Sequence, residues 1–193
     1  QDIGDAETGE DRGRMICADV GARWCEEMDV MIPGGNYAWP EKECHFCYPI
    51  DPPEDPEVCD EPSVSPGEEV FPIYWYTEWA GDQSVTGGHV YRGSAFPDYY
   101  GDYFWTDWKI RDNSGLNRLR ENEDGTWTNY KIDLCDASMC GEELESEHAP
   151  MAFSFGVDQD LEHYILESEN DNPTIPGGVI YKIVTAPESK KNQ

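Results

Sequence analysis

Short aromatic and β-branched runs, separated by turn-forming residues, set the pattern of this chain. Four such runs follow one another in the middle of the sequence, at residues 85–91, 103–106, 116–120 and 127–132. Turn-forming residues at 94–98 separate the first two runs, and the tight-turn pair Asp124-Gly125 precedes the last. Four short antiparallel strands in about 48 residues match the size of one propeller blade.

Further strands are predicted on both sides of this blade. They cover residues 14–20, 26–31 and 71–76 before it, and residues 152–157, 162–167 and 179–184 after it. Pro72 favours an edge position for its strand, because proline donates no hydrogen bond. No segment has the periodicity of a helix. We therefore expect about eleven strands, of which ten fall in groups of roughly three, four and three and one is not assigned to a group.

The pattern predicts an all-β fold, namely a partial β-propeller of about two to three four-stranded antiparallel blades. We expect an acidic arm at residues 1–13, a single propeller-like β domain at residues 14–185 and a polar tail at residues 186–193. Residues 40–70 are rich in proline, cysteine and acids, and they predict a long inserted loop held by disulfide bonds.

An incomplete ring of blades leaves sheet faces and strand edges open to water. A propeller removes its edges only when the ring closes, and two to three blades cannot close it. We therefore expect either another protein chain or self-association to cover the open edges.

Charge narrows the classes of partner. The chain has 193 residues, and its 13 basic and 41 acidic residues give a net charge of −28. Such a field repels nucleic acid and anionic membrane surfaces, whereas cations, basic proteins and mineral surfaces remain as partners. The acids crowd loop-like segments, which favours a role in solubility. No apolar run reaches the roughly 18 residues of a membrane span.

Seven cysteines indicate disulfide bonds in an oxidising compartment. They are Cys17, Cys25, Cys44, Cys47, Cys59, Cys135 and Cys140. The CxxC spacing of Cys44 and Cys47 also occurs in zinc sites, but no second CxxC follows. The pairing stays open, and the odd count leaves a free thiol or a partner outside the chain. We expect a secreted protein, processed because no signal-peptide core begins the sequence.

Candidate chemistry is sparse. Asp158, Asp160 and Glu162 place carboxylates at alternate positions, which is a pattern suited to calcium, but they lack the glycine of an EF-hand loop. His89 fits a packed or surface histidine better than a general base, and Arg92 fits pairing with a carboxylate. There is no nucleophile elbow, phosphate-binding loop or zinc-protease motif, so we assign no catalytic residue.

Several motifs in a fixed order resemble a known superfamily. They are Ala18-Asp19-Val20-Gly21, Glu26-Glu27-Met28-Asp29-Val30, Gly34-Gly35-Asn36-Tyr37-Ala38-Trp39, residues 84–93, Ser154-Phe155-Gly156-Val157-Asp158 and residues 179–184. Over residues 14–184, the chain looks like the C-terminal part of the glucose/sorbosone dehydrogenase superfamily of soluble quinoproteins. The secreted hedgehog-interacting-protein-like branch is the more similar one.

The resemblance implies a six-bladed propeller, of which this chain would supply the last two to three blades. It also implies that cysteines matching Cys17, Cys135 and Cys140 bridge to earlier blades, while Cys25 has no counterpart. Bacterial members use pyrroloquinoline quinone and calcium, with a catalytic histidine from an early blade that this sequence does not contain. The quinone is thus expected only if the rest of the propeller is present.

Three functions follow as hypotheses. The first is a secreted, non-catalytic extracellular binding or structural protein. The second is part of a quinone-dependent sugar dehydrogenase that another chain completes. The third is an acidic matrix protein associated with cations or mineral.

Overall fold

A computed structural model describes residues 13–48, 57–77, 84–108, 115–132, 151–168 and 177–185. Within these ranges the chain is all-β, with antiparallel sheets, one short 3-10 turn at Pro97–Tyr99 and no α-helix. The strands are β1 (Met15–Asp19), β2 (Cys25–Met31), β3 (Lys42–Glu43), β4 (Phe46–Cys47), β5 (Tyr74–Thr77), β6 (Val85–Val90), β7 (Tyr103–Asp107), β8 (Leu116–Glu121), β9 (Trp127–Ile132), β10 (Met151–Val157), β11 (His163–Ser168) and β12 (Gly178–Lys182). None of the described ranges forms a helix long and apolar enough to cross a membrane.

The strands form the predicted groups of three, four and three. The sheets have the orders β1-β2-β5, β6-β7-β8-β9 and β10-β11-β12, with β3 and β4 as a separate hairpin. Pro72 lies just before β5, which is an edge strand of its sheet, as expected. The turn between β8 and β9 is closed by a 2.7 Å hydrogen bond from the Asn122 amide to the Thr126 carbonyl, and Gly125 adopts a φ of 81° there.

The predicted disulfide-held loop at residues 40–70 also contains the short hairpin β3-β4, which the sequence did not indicate. Each of its strands has only two residues, which is too short to produce an alternating pattern in the sequence. Lys42 and Glu43 are charged, yet both are buried. Lys42 forms an ion pair with Glu69, so the burial of its charge is compensated.

The second and third sheets share one apolar core. Tyr91, Phe104 and Leu116 pack with Ala152, Phe155 and Ile165. At Gly88 a side chain would collide with the Phe104 backbone and come within 2.9 Å of the Phe155 ring. The absence of a side chain therefore lets β6 approach the third sheet.

The chain divides into two compact units, Gln1–Val85 with Glu121–Thr128, and Thr86–Arg120 with Asn129–Gln193. The single domain at residues 14–185 stays a prediction. The predicted arm and tail, together with Cys135 and Cys140, lie outside the described residues apart from Gly13 at the end of the arm.

Candidate functional site

Asp158 closes the turn between β10 and β11. Its Oδ1 accepts hydrogen bonds from the backbone amides of Asp160, at 2.9 Å, and Glu162, at 3.0 Å. Its Oδ2 accepts from the Lys182 ammonium, at 2.9 Å, and the Tyr164 hydroxyl, at 3.2 Å. The bond from Lys182, followed by the bond from Glu162, lowers the Asp158 pKa to about 2. Both oxygens of this predicted calcium ligand therefore already accept hydrogen bonds, Oδ1 from the turn and Oδ2 from side chains of β11 and β12.

The Glu162 side chain has hydrogen-bond donors that differ from those of Asp158. Its carboxylate accepts hydrogen bonds from the Tyr91 hydroxyl, at 2.7 Å, and from the amides of Ser94, at 2.8 Å, and Ala95, at 2.9 Å. Burial opposes ionisation of Glu162, but these bonds outweigh it and lower the pKa. Asp160 is exposed. The three carboxylates thus have separate surroundings, and calcium binding by Asp158, Asp160 and Glu162 stays a prediction.

His89 packs beside a second histidine, His163, with ring centroids 6.1 Å apart. Burial lowers the pKa of His89, and burial together with His89 lowers the pKa of His163 to about 4. His163 also contacts the Tyr91 and Phe104 rings. His89 is accordingly a partly buried histidine packed against the His163 ring.

Arg92 lies with its guanidinium 5.0 Å from the Tyr100 ring centroid and donates a 3.3 Å hydrogen bond to the Tyr91 carbonyl. Its position is therefore explained by local packing. Pairing of Arg92 with a carboxylate stays a prediction.

Two disulfide bonds are formed, Cys25–Cys44 and Cys47–Cys59. The two cysteines of the CxxC motif therefore belong to different bonds, which removes the zinc alternative. Of the cysteines in the described residues, Cys17 is free and exposed on β1. Partial burial and the charges of Asp19 and Asp29 raise the pKa of its thiol.

Three further carboxylates meet on one face of the first sheet. Asp19 of β1 lies directly opposite Glu27 of β2, and Cys17 lies opposite Asp29. Residues at alternate positions of a strand share a face, so Asp29 joins Glu27 on the side of Asp19. One oxygen from each of the three acids lies within 4.8 Å of the other two. We call Asp19, Glu27 and Asp29 the carboxylate cluster.

The negative charge of the carboxylate cluster has few compensating hydrogen-bond donors. Asp29 is only 2% exposed, and its Oδ1 has no hydrogen-bond partner. Burial, then the charge of Asp19, raises the Asp29 pKa to about 7. Burial, then the charges of Asp29 and Asp19, raises the Glu27 pKa to about 8. The charge of Asp19 makes ionisation of both Asp29 and Glu27 harder, because like charges repel at short distance.

Sequence reasoning missed the carboxylate cluster. The signal was present, since Glu27 and Asp29 stand two positions apart in a segment predicted as a strand. What the sequence did not give was the register between β1 and β2, which places Asp19 against Glu27. A shift by one residue would have put Asp19 on the opposite face.

The chain is similar to part of two known plant proteins. No family model matches the chain. The HIPL2 protein of Arabidopsis thaliana is 32% identical over 98 residues, which cover 48% of this chain and 13% of the relative. The HIPL1 protein of the same plant is 27% identical over 178 residues, which cover 80% of this chain and 23% of the relative. The chain is related to HIPL proteins but spans less than a quarter of either one.

Proposed function

We propose that this chain is a non-catalytic binding or structural module of a secreted HIPL-type protein with a propeller fold, and that further polypeptide covers its sheets. The similarity to the HIPL proteins supports the assignment to a HIPL-type protein. The two disulfide bonds support an extracellular location, because such bonds persist in oxidising compartments.

The observation that carries the proposal is the exposed Cys17 thiol on β1, which is an edge strand of its sheet. The four neighbouring cysteines in the described part of the chain are all bonded, which supports folding in an oxidising environment. A thiol left open at a sheet edge is suited to a bond with polypeptide that runs along that edge.

Apolar residues at the surface of the third sheet support the same conclusion. Ile180, on the edge strand β12, is 66% exposed, and Tyr181 beside it is also exposed. Phe153 and Val157 are exposed on β10, the other edge strand. Apolar side chains at an open edge favour pairing with another strand.

The side chains considered for chemistry support a binding role over catalysis. Asp158 and Glu162 hold turns through hydrogen bonds, and His89 packs against His163. Each of these groups has a structural role that its contacts explain.

Sedimentation velocity of the chain, with Cys17 alkylated to prevent new disulfides, tests the open edge. We expect a mass that rises above the 21.9 kDa monomer with concentration. Ile180→Lys should shift the distribution towards monomer, because a charged edge resists pairing. Val64→Lys is the matched control, since Val64 is an apolar residue that is 90% exposed and lies outside the sheets. A strict monomer, or equal effects of the two variants, would contradict the proposal.

A further inference from the structure

The carboxylate cluster combines three acids with a buried oxygen that receives no hydrogen bond. We propose that Asp19, Glu27 and Asp29 bind a calcium ion on the face of the first sheet. This inference is independent of the proposed function, since it concerns only β1, β2 and the residues next to them.

Burial argues for an occupant. An ionised carboxylate removed from water needs compensating donors, a counter-charge or a metal ion. Asp29 is almost fully buried, yet its Oδ1 has no donor. Glu43, which adds to the negative field at Glu27, also has a buried oxygen without a partner, Oε2. A cation between the three acids would offset the repulsion among their carboxylates.

The donor set argues for a hard cation. All three ligands are carboxylates, and calcium takes oxygen ligands at roughly 2.4 Å, so oxygens across its coordination sphere lie up to about 4.8 Å apart. The cluster oxygens all lie within 4.8 Å of one another. Calcium accepts irregular sets of six to eight oxygens, whereas magnesium requires near-octahedral geometry with bonds of about 2.1 Å. Cys17 is not a member of the group, so the thiolate ligand that zinc favours is missing.

The surrounding structure fixes the ligands in place. The antiparallel register of β1 and β2 sets Asp19 against Glu27. The Cys25–Cys44 disulfide anchors the start of β2, and the Cys44 backbone amide favours the ionised form of Glu27. Rigid elements of this kind hold carboxylates in position before an ion binds.

Calorimetric titration of the chelator-treated chain with calcium chloride tests the site. We expect one saturable site in the wild-type chain and a loss of affinity of at least about tenfold in Asp29→Asn and in Asp19→Asn, because calcium affinity follows the number of charged ligands. Asp19 is exposed, so its variant should fold even if a change at Asp29 perturbs packing. Glu68→Gln, an exposed acid outside the cluster, should bind as the wild type does.

Thermal unfolding separates the effect of the Asp29 charge from the effect of calcium. Without calcium, Asp29→Asn should melt higher than the wild type, because it removes a buried charge. Calcium should raise the melting temperature of the wild type and leave that of Asp29→Asn unchanged. A destabilised Asp29→Asn chain that still responds to calcium would overturn the proposal.

Terbium, which occupies calcium sites and emits when a nearby tryptophan is excited, locates the ion. Trp75 of β5 lies directly opposite Glu27, so its ring shares the face of the cluster. Trp75→Phe should lose most of the sensitised emission while keeping calcium binding in the calorimeter. Absence of saturable calcium binding, emission independent of Trp75, or zinc binding that depends on Cys17 would each overturn the assignment.

Discussion

Buried acids act as hydrogen-bond acceptors for the backbone in this protein. Glu26 accepts bonds from the amides of Gly21, at 3.2 Å, and Val85, at 2.6 Å. Oε1 of Glu43 accepts from three successive amides, those of Arg23, Trp24 and Cys25. The high acid content therefore serves turns and strand ends as well as the surface, which composition alone did not predict.

Removal of the Glu162 carboxylate should destabilise the protein strongly. Glu162→Ala leaves the Tyr91 hydroxyl and two backbone amides without their acceptor, and we expect a loss of about 3 kcal/mol in the free energy of unfolding. Asp160→Ala, two positions away on the exposed turn, should change it by less than about 0.5 kcal/mol. Urea denaturation measures both, and equal losses would show that the Glu162 bonds contribute little.

His163 should make stability depend on pH. Its folded-state pKa of about 4 lies below the ordinary 6.5, so the unfolded chain binds the proton more readily. The contribution of His163 is complete above pH 6.5, decreases as the pH falls and is lost near pH 4. The shift corresponds to up to about 3 kcal/mol.

The measurement is the difference between the pH profiles of the wild type and His163→Phe, which keeps an aromatic ring beside Tyr91 and Phe104. The acids contribute equally to both profiles, so their contribution to the pH dependence cancels in the difference. Glu27 and Asp29 are among them, and because their pKa values are raised they make stability fall as the pH rises. Two titratable neighbours also act on the pKa of His163, which His89 lowers and Glu162 raises. Parallel profiles for the two chains would contradict the role of His163.

At the scale of elements, the sequence predicted most strands and missed what depends on register or on covalent bonds. The aromatic run of β7 and the Asp124-Gly125 turn could be predicted from a few neighbouring residues, because short-range chemistry determines them. The β3-β4 hairpin was not, since its two-residue strands are held by the Cys25–Cys44 and Cys47–Cys59 bonds. Pairing among seven cysteines cannot be derived from their spacing.

The two disulfide bonds should differ in their effect on stability. Cys25–Cys44 closes a separation of 19 residues and has both cysteines buried, whereas Cys47–Cys59 closes 12 and includes the exposed Cys47. Loop closure gives roughly 3 kcal/mol for the first and slightly less for the second. Cys25 and Cys44 are also packed in the interior, so replacing them should leave cavities and increase the difference in stability loss between the two bonds.

Urea unfolding of Cys25→Ala/Cys44→Ala and of Cys47→Ala/Cys59→Ala checks this order. We expect the first pair to lose more stability and to weaken the hairpin, because Cys44 lies between β3 and β4. A larger loss in the second pair would show that the buried bond is not the main anchor of this region.

At the scale of the whole molecule, the sequence shows the net charge and the number of cysteines, but it does not identify a partner. A net charge of −28 disfavours anionic partners but does not select any one class of partner. Seven cysteines leave at least one without a partner in the chain, and the exposed thiol in the described part is Cys17. The relatives extend far beyond the aligned region, which covers 13% and 23% of their lengths.

Disulfide mapping of the protein isolated from its natural source tests the central claim most directly. Non-reducing proteolysis followed by mass spectrometry should recover the Cys17 peptide bonded to a cysteine peptide from outside these 193 residues. That result would place further polypeptide at the open edge of the first sheet. A Cys17 peptide that is free, or bonded to Cys135 or Cys140, would contradict the account.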